Sequence, residues 1–144
     1  HGLHYASWNE LGIVRAQMGD FSGAKDAFEE AIRIDPRECR AQNNLGGLMF
    51  NRRDTDFARR IYMDTLAYCQ DDPVALFMLG LMHYESWKEA QRLGDSLERQ
   101  DRLRDEAQYF FQTLVDYQEQ LEGQPRFAEL EKVKAWLLEL TFLQ

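Results

Sequence analysis

Residues 8–36 read WNELGIVRAQMGDFSGAKDAFEEAIRIDP, and this stretch decides the fold. Two short helices are written in it. Gly19 closes the first after Met18, because glycine takes the left-handed conformation of a helix C-terminus at little cost. Asp20 or Ser22 starts the second, and Pro36 stops it, since the residue before a proline is pushed out of helical backbone. Gly12 and Ala24 present almost no side chain where the two helices would meet, and Phe28 fills the space they leave.

The same stretch returns along the chain. Leu45-Gly46 lies 34 residues after Leu11-Gly12, and Leu79-Gly80 lies 34 further on. Ala58 and Tyr62 follow Ala24 and Phe28 at the same interval. A fixed period of this size marks stacked helix pairs, each burying its apolar face only against its neighbours. The pattern W-x2-L-G…A-x3-F…P is met by Trp8, Leu11, Gly12, Ala24, Phe28 and Pro36 and resembles the tetratricopeptide repeat, with Arg15 where that family usually has an aromatic. The resemblance implies an all-α fold of about seven helices, a right-handed superhelical solenoid of antiparallel pairs. It implies one domain over residues 1–144: repeats at about 5–38, 39–72 and 73–121, then a capping helix at about 125–143.

The remaining boundaries come from local chemistry. The first helix is expected over about Tyr5–Met18, the second to Ile34, the third over Glu38–Asn51, and the fourth from an Asp54 or Asp56 cap to Cys69. Arg53 stands where the first repeat has Gly19, so this turn is either reshaped or slightly strained. Pro73 begins the fifth helix, behind Asp71 and Asp72, whose charges suit a helix N-terminus. The third repeat then breaks the period. Ala107 and Phe111 meet its alanine and aromatic positions 49 residues after Ala58 and Tyr62, leaving extra chain between Tyr84 and Arg104. Trp87, Ala90 and Leu93 keep helical spacing, Gly94 interrupts, and Asp95-Ser96-Leu97-Glu98 reads as a capping box. Two readings stand. Both helices of the third pair are lengthened into an arm that reverses at Gly94, or a charged loop runs from Gly94 to Arg104. The arm is preferred, because long structureless loops are uncommon in compact domains. Gly123 and Pro125 separate the sixth helix from a last one over Arg126–Leu143. Phe127, Leu130, Val133, Leu137 and Leu140 stripe that helix, widened by Trp136, Leu138, Phe142 and Leu143. Covering the last repeat is its expected role, and the surplus apolar residues leave room for contact with a partner or a second copy.

Composition narrows the function. With 44% hydrophobic and 29% charged residues the chain is globular rather than disordered. A net charge of −8 disfavours nucleic acid, which needs a basic face. No apolar run is long enough to span a membrane and no signal peptide is visible, so the expected location is cytoplasmic. Cys39 and Cys69 open and close the second helix pair and so could lie at the same end of it; two free thiols are the expectation, a structural disulfide the alternative, and the spacing fits no zinc motif. His1, His4 and His83 share no spacing with acidic or thiol partners, Gly46-Gly47 lies inside a helix, and His83 reads as a packed side chain. Catalytic residues, cofactors and metals are therefore not expected.

What the family resemblance implies is a groove lined by the first helix of each pair, where an extended peptide or a helix of another protein lies. On the face opposite each Leu-Gly pair the first repeat offers Asn9, Ile13 and Gln17. The second offers Arg40, Asn43, Asn44, Gly47 and Asn51, and the third Val74, Phe77, Met78 and Leu81. Asparagine amides both donate and accept, so Asn43 and Asn44 suit a peptide backbone, although a solvated helix face reads the same way. Phe77, Met78 and Leu81 suit an apolar contact, unless the protein's own last helix or arm covers them. Tetratricopeptide co-chaperones that grip a C-terminal carboxylate use two Lys, two Asn and an Arg. The matching positions here are Asn9, Ile13, Asn44, Val74 and Met78, of which only Asn44 conforms, so that grip is not expected. Arg33, Arg37, Arg40, Arg52, Arg53, Arg59 and Arg60 cluster around the second repeat, as a patch for an acidic segment or as a solvated face salt-bridged to Glu38, Asp54 and Asp56. Two functions remain: a non-catalytic adaptor holding a protein or peptide partner, or a structural module that forms a homo-oligomer or joins a complex through the arm and last helix.

Overall fold

The computed structural model describes residues 2–121 and 127–142. Among them seven α-helices follow one another: α1 (Gly2–Gln17), α2 (Phe21–Ile34), α3 (Cys39–Asn51), α4 (Thr55–Tyr68), α5 (Pro73–Leu93), α6 (Leu97–Glu119) and α7 (Leu130–Phe142). They group into two compact units, His1–Asp72 and Pro73–Gln144.

In the first unit α1 pairs with α2 and α3 with α4, while α2 also packs on α3. The small residues do what their recurrence predicts. A Cβ at Gly12 would lie 2.5 Å from the Phe28 ring, and one at Gly46 would lie 2.7 Å from the Tyr62 ring. Ala24 and Ala58 are fully buried beside them. Asp20 and Asp54 cap α2 and α4, accepting from the backbone N–H of Gly23 and Phe57 at 2.9 and 3.2 Å. Gly19 turns the first pair at φ 80°, and Arg53 does the same for the second at φ 64°. Of the two outcomes expected at Arg53, the backbone keeps the glycine conformation and carries the strain, about 1 kcal/mol for a side chain there.

One expectation is overturned in this unit. Cys39 and Cys69 are joined by a disulfide rather than standing as free thiols. Cys39 is the first residue of α3 and Cys69 the C-cap of α4. The antiparallel pairing brings their Cα atoms to 6.6 Å, inside the range a disulfide spans.

In the second unit the arm reading holds. α5 has 21 residues and α6 has 23, against 13 to 16 for the helices of the first unit. The chain reverses at Gly94, φ 67°. Trp87 and Ala90 are buried where the two helices pair. The cap falls one residue later than the capping box suggests: Ser96, not Asp95, accepts from the Arg99 N–H at 3.3 Å. Asp95 instead accepts from the Ser96 N–H and from the Arg99 guanidinium. A Cβ at Gly80 would lie 2.3 Å from the Phe111 ring, so Phe111 repeats the part played by Phe28 and Tyr62. α7 packs on α6 with Leu130, Val133 and Leu140 buried. It begins at Leu130, after a turn at 128–129, rather than at Arg126; Gly123, Pro125, Arg126 and Leu143 lie outside the described residues. α1 begins at Gly2, ahead of the expected Tyr5.

Candidate functional site

The first-helix faces of the two units differ in how much of them remains available. In the first unit the sequence-predicted residues fall on α1 and α3, two helices that meet each other. Asn9 is not an open groove residue. It is 4% exposed, and its Oδ1 accepts from the Asn44 amide at 2.9 Å, tying α1 to α3. The Asn43 amide donates to both carboxylate oxygens of Asp72 at 3.0 Å, and its own Oδ1 is buried without a partner. Arg40 donates through Nε to Glu38 at 3.1 Å and lies over the Tyr5 ring at 5.8 Å. Ile13 and Gly47 are half-buried, and Gln17 and Asn51 are exposed. The face is thus an amide-rich strip whose hydrogen bonds already fix its side chains in place.

Tyr5, at the expected start of the first helix, anchors this face. Its hydroxyl donates to the Glu38 carbonyl at 3.1 Å and accepts from the Ala41 N–H at 2.8 Å. Burial pushes the hydroxyl pKa up. Periodicity could mark Tyr5 as apolar and inward, but not as a cap on a helix 36 residues away.

In the second unit Phe77 is taken by the protein itself. Its ring lies 5.3 Å from Phe127 and 6.2 Å from Trp136, so the chain before α7 and α7 cover it. Met78 and Leu81 are half-buried and Val74 is exposed. Trp136 is the centre of this cover, stacked on Tyr84 at 5.0 Å and on Phe111 at 5.5 Å. One residue triad locks it. Glu139 accepts from the Tyr84 hydroxyl at 2.5 Å and from Lys88 Nζ at 2.6 Å. The Lys88 hydrogen bond, and then that of Tyr84, hold the Glu139 carboxyl below the usual glutamate range. Burial, and then the Glu139 carboxylate, raise the Tyr84 hydroxyl. The signal for this lock lay in the surplus apolar width of the last helix, although its target could not be read from it.

His83 stacks on Phe110 at 5.5 Å and places Nδ1 3.1 Å from Glu106, a packed side chain as its position suggested. Among the described residues no three His, Cys, Asp or Glu side chains converge as metal ligands, and no helix is long and apolar enough to cross a membrane. On the other side of α7 an open depression of about 480 Å³ lies against α6, lined by Gln108, Tyr109, Gln112, Thr113, Asp116, Leu137 and Thr141.

Comparison with known proteins agrees with the repeat geometry. The tetratricopeptide repeat family model matches residues 5–38. A candidate protein-binding protein from Bacteroides ovatus superposes with a TM-score of 0.64 at 15% identity, over 93% of this chain and 71% of that one. MamA superposes with a TM-score of 0.57 at 15% identity, over 97% of this chain and 93% of that one. Residues 5–38 thus match a tetratricopeptide repeat, and the glycine–aromatic interlock repeated in three helix pairs, with these structural likenesses, shows the fold of such repeats over the rest of the described chain.

Proposed function

We propose that the chain is a non-catalytic protein-interaction module that holds a peptide or helix of a partner protein against the α1/α3 face. The observation that carries this reading is the ordered amide strip. Asn44 is held by Asn9 and Asn43 by Asp72, so the strip is already arranged before any partner arrives. Such preorganisation lowers the entropy lost when a chain docks on it. Ile13 supplies apolar contact and Arg40 a charge at the edge of the same strip. Phe77 contributes to the fold of the second unit, while Met78 and Leu81 remain on the corresponding face there.

Photo-crosslinking tests the reading. A benzophenone side chain placed at Ile13 or Asn51 should give adducts with a partner in cells that make the protein. The same group at Met63, exposed on α4, should give none. Adducts from Met63 alone, or from no position, would remove the proposal.

A second reading, self-association, is favoured by apolar residues left in water on the second unit. Leu97 is 78% exposed beside the reversal of the arm, and Phe142 is 74% exposed on α7. Light scattering separates the two readings, since a groove adaptor has no need to dimerise. Location enters through the Cys39–Cys69 bond. Such bonds persist in oxidising compartments, and the cytoplasmic location expected from sequence would require this one to be reduced there.

A further inference from the structure

The arginine cluster of the second repeat divides in the structure. Arg33, Arg40 and Arg59 are paired with Glu30, Glu38 and Asp56 within their own neighbourhoods. Arg52, Arg53 and Arg60 are exposed and enter no ion pair among the described residues. Arg52 and Arg60 gather with Lys25, which also faces Glu29 at 3.7 Å, around two phenylalanines where α2 and α4 begin. The Arg52 guanidinium lies 4.3 Å over the Phe21 ring. Lys25 Nζ and the Arg60 guanidinium lie 5.3 and 5.5 Å from the Phe57 ring. Phe21 and Lys25 are one helical turn apart on α2, so the contacts form one continuous strip across the first unit.

We propose that this strip receives an acidic segment of a partner protein. The reasoning is from charge. Carboxylates close to these residues in the chain already have partners: Asp20 and Asp54 cap helices, Glu29 faces Lys25 at 3.7 Å, and Asp56 holds Arg59 at 2.8 Å. The unpaired guanidiniums therefore keep their hydrogen-bonding edges for an outside carboxylate. Contact with the Phe21 and Phe57 rings restricts Arg52 and Arg60, and a guanidinium fork grips a carboxylate through two parallel hydrogen bonds. Three unpaired guanidiniums and one lysine are too few for the run of phosphate contacts a nucleic acid needs, which favours a short acidic peptide.

Arg53 points the same way independently. It is the one non-glycine among the described residues with positive φ, at the position equivalent to Gly19. Its side chain makes no hydrogen bond or ion pair among the described residues, so no internal contact offsets the strained backbone. What the arginine adds there is a third outward cation beside Arg52. Strain held at one residue without an internal reason is a mark of a working site.

The strip adjoins the α1/α3 face at Arg52, the C-cap of α3, but its test changes none of the residues of that face. Fluorescence anisotropy would follow a labelled ten-residue peptide carrying six glutamates and one leucine, beside the same peptide with glutamines and a ten-nucleotide oligouridylate. The glutamate peptide should bind, weaken several-fold as salt rises from about 50 to 300 mM, and outcompete both controls. Arg52→Glu with Arg60→Glu should weaken it by about tenfold or more. Arg53→Gly should weaken it by about two- to fivefold while raising the melting temperature, because the backbone strain is relieved. A purely structural Arg53 would raise the melting temperature and leave affinity alone. Equal binding of the glutamine peptide, tighter binding of the oligouridylate, unchanged affinity in the charge-reversed variant, or no binding at about 1 mM peptide would each overturn the proposal.

Discussion

Gly46 and Gly47 are neighbours in one helix, yet the structure gives them opposite roles. A methyl at Gly46 would sit 2.7 Å from the buried Tyr62 ring, which has nowhere to go. A methyl at Gly47 would meet only the Tyr62 hydroxyl oxygen, at an ordinary 3.6 Å. Gly46→Ala should therefore destabilise the protein by about 1–3 kcal/mol through overpacking. Gly47→Ala should stabilise it by up to about 1 kcal/mol, because alanine is the better helix former. Urea denaturation of the two variants reads the sign directly. Tyr62 itself makes a second prediction. Burial, with Asp72 nearby, pushes its hydroxyl up to about 12, from 10.0 in the unfolded chain. A raised folded value means that this contribution to stability is complete below pH 10 and is lost as pH rises through 12. The loss is about 2–3 kcal/mol, an order-of-magnitude figure from the linkage relation. Tyr62→Phe has no proton to lose, so its stability should fall less than that of the wild type between pH 10 and 12.

At the level of elements, the disulfide ties the start of α3 to the end of α4 across a sequence separation of 30 residues. Closing a loop of that length removes freedom from the unfolded chain, worth roughly 2–4 kcal/mol in the loop-entropy view. Reduction should lower the melting temperature, and thiol titration of the unfolded, unreduced protein should find no free cysteine; full reactivity without reductant would remove the bond. α7 makes a prediction in acid. Glu139, held low by Lys88 and then Tyr84, contributes stability above its ordinary value near 4.5. That contribution is lost as pH falls through the lower folded value. Glu139→Gln should therefore be less stable than wild type at pH 7, with the difference closing below about pH 4. The gap should stay near 1 kcal/mol, because Lys88 is exposed and water screens the pair. These two elements also mark where sequence reading stops. Helix positions were legible because Gly19, Asp20, Pro36, Asp54 and Pro73 punctuate the backbone locally. The disulfide was not the expected outcome: the helix pairing puts Cys39 and Cys69 at one end of the pair, but only the packed structure gives the 6.6 Å between their Cα atoms. The shift of the α6 cap from Asp95 to Ser96 was missed because both residues suit the position chemically.

For the whole molecule, the repeat period made the helix pairing legible, while the candidate site was only half legible. A helical wheel gives the direction of a side chain, not its depth. It put Asn9 and Asn44 on one face but could not tell that Asn9 is buried beneath Asn44. It put Phe77 outward, and only the return of chain 50 residues later, at Phe127, decides what lies on it. The same limit applies to the apolar residues still exposed on the second unit. Tyr109 is 65% exposed and Leu138 61%, on α6 and α7. Either they bury against a second copy or they stay in water, and the two cases respond differently to salt. Association through apolar surface is insensitive to salt or strengthened by it, whereas association through charge weakens as salt rises. If the assembly reading holds, light scattering should give a dimer or larger species that survives about 0.5 M salt. Leu138→Gln with Phe142→Gln should then return it to a monomer with little change in melting temperature, since both side chains are exposed already. A wild-type protein that stays monomeric at high concentration would leave the α1/α3 face as the reading to pursue.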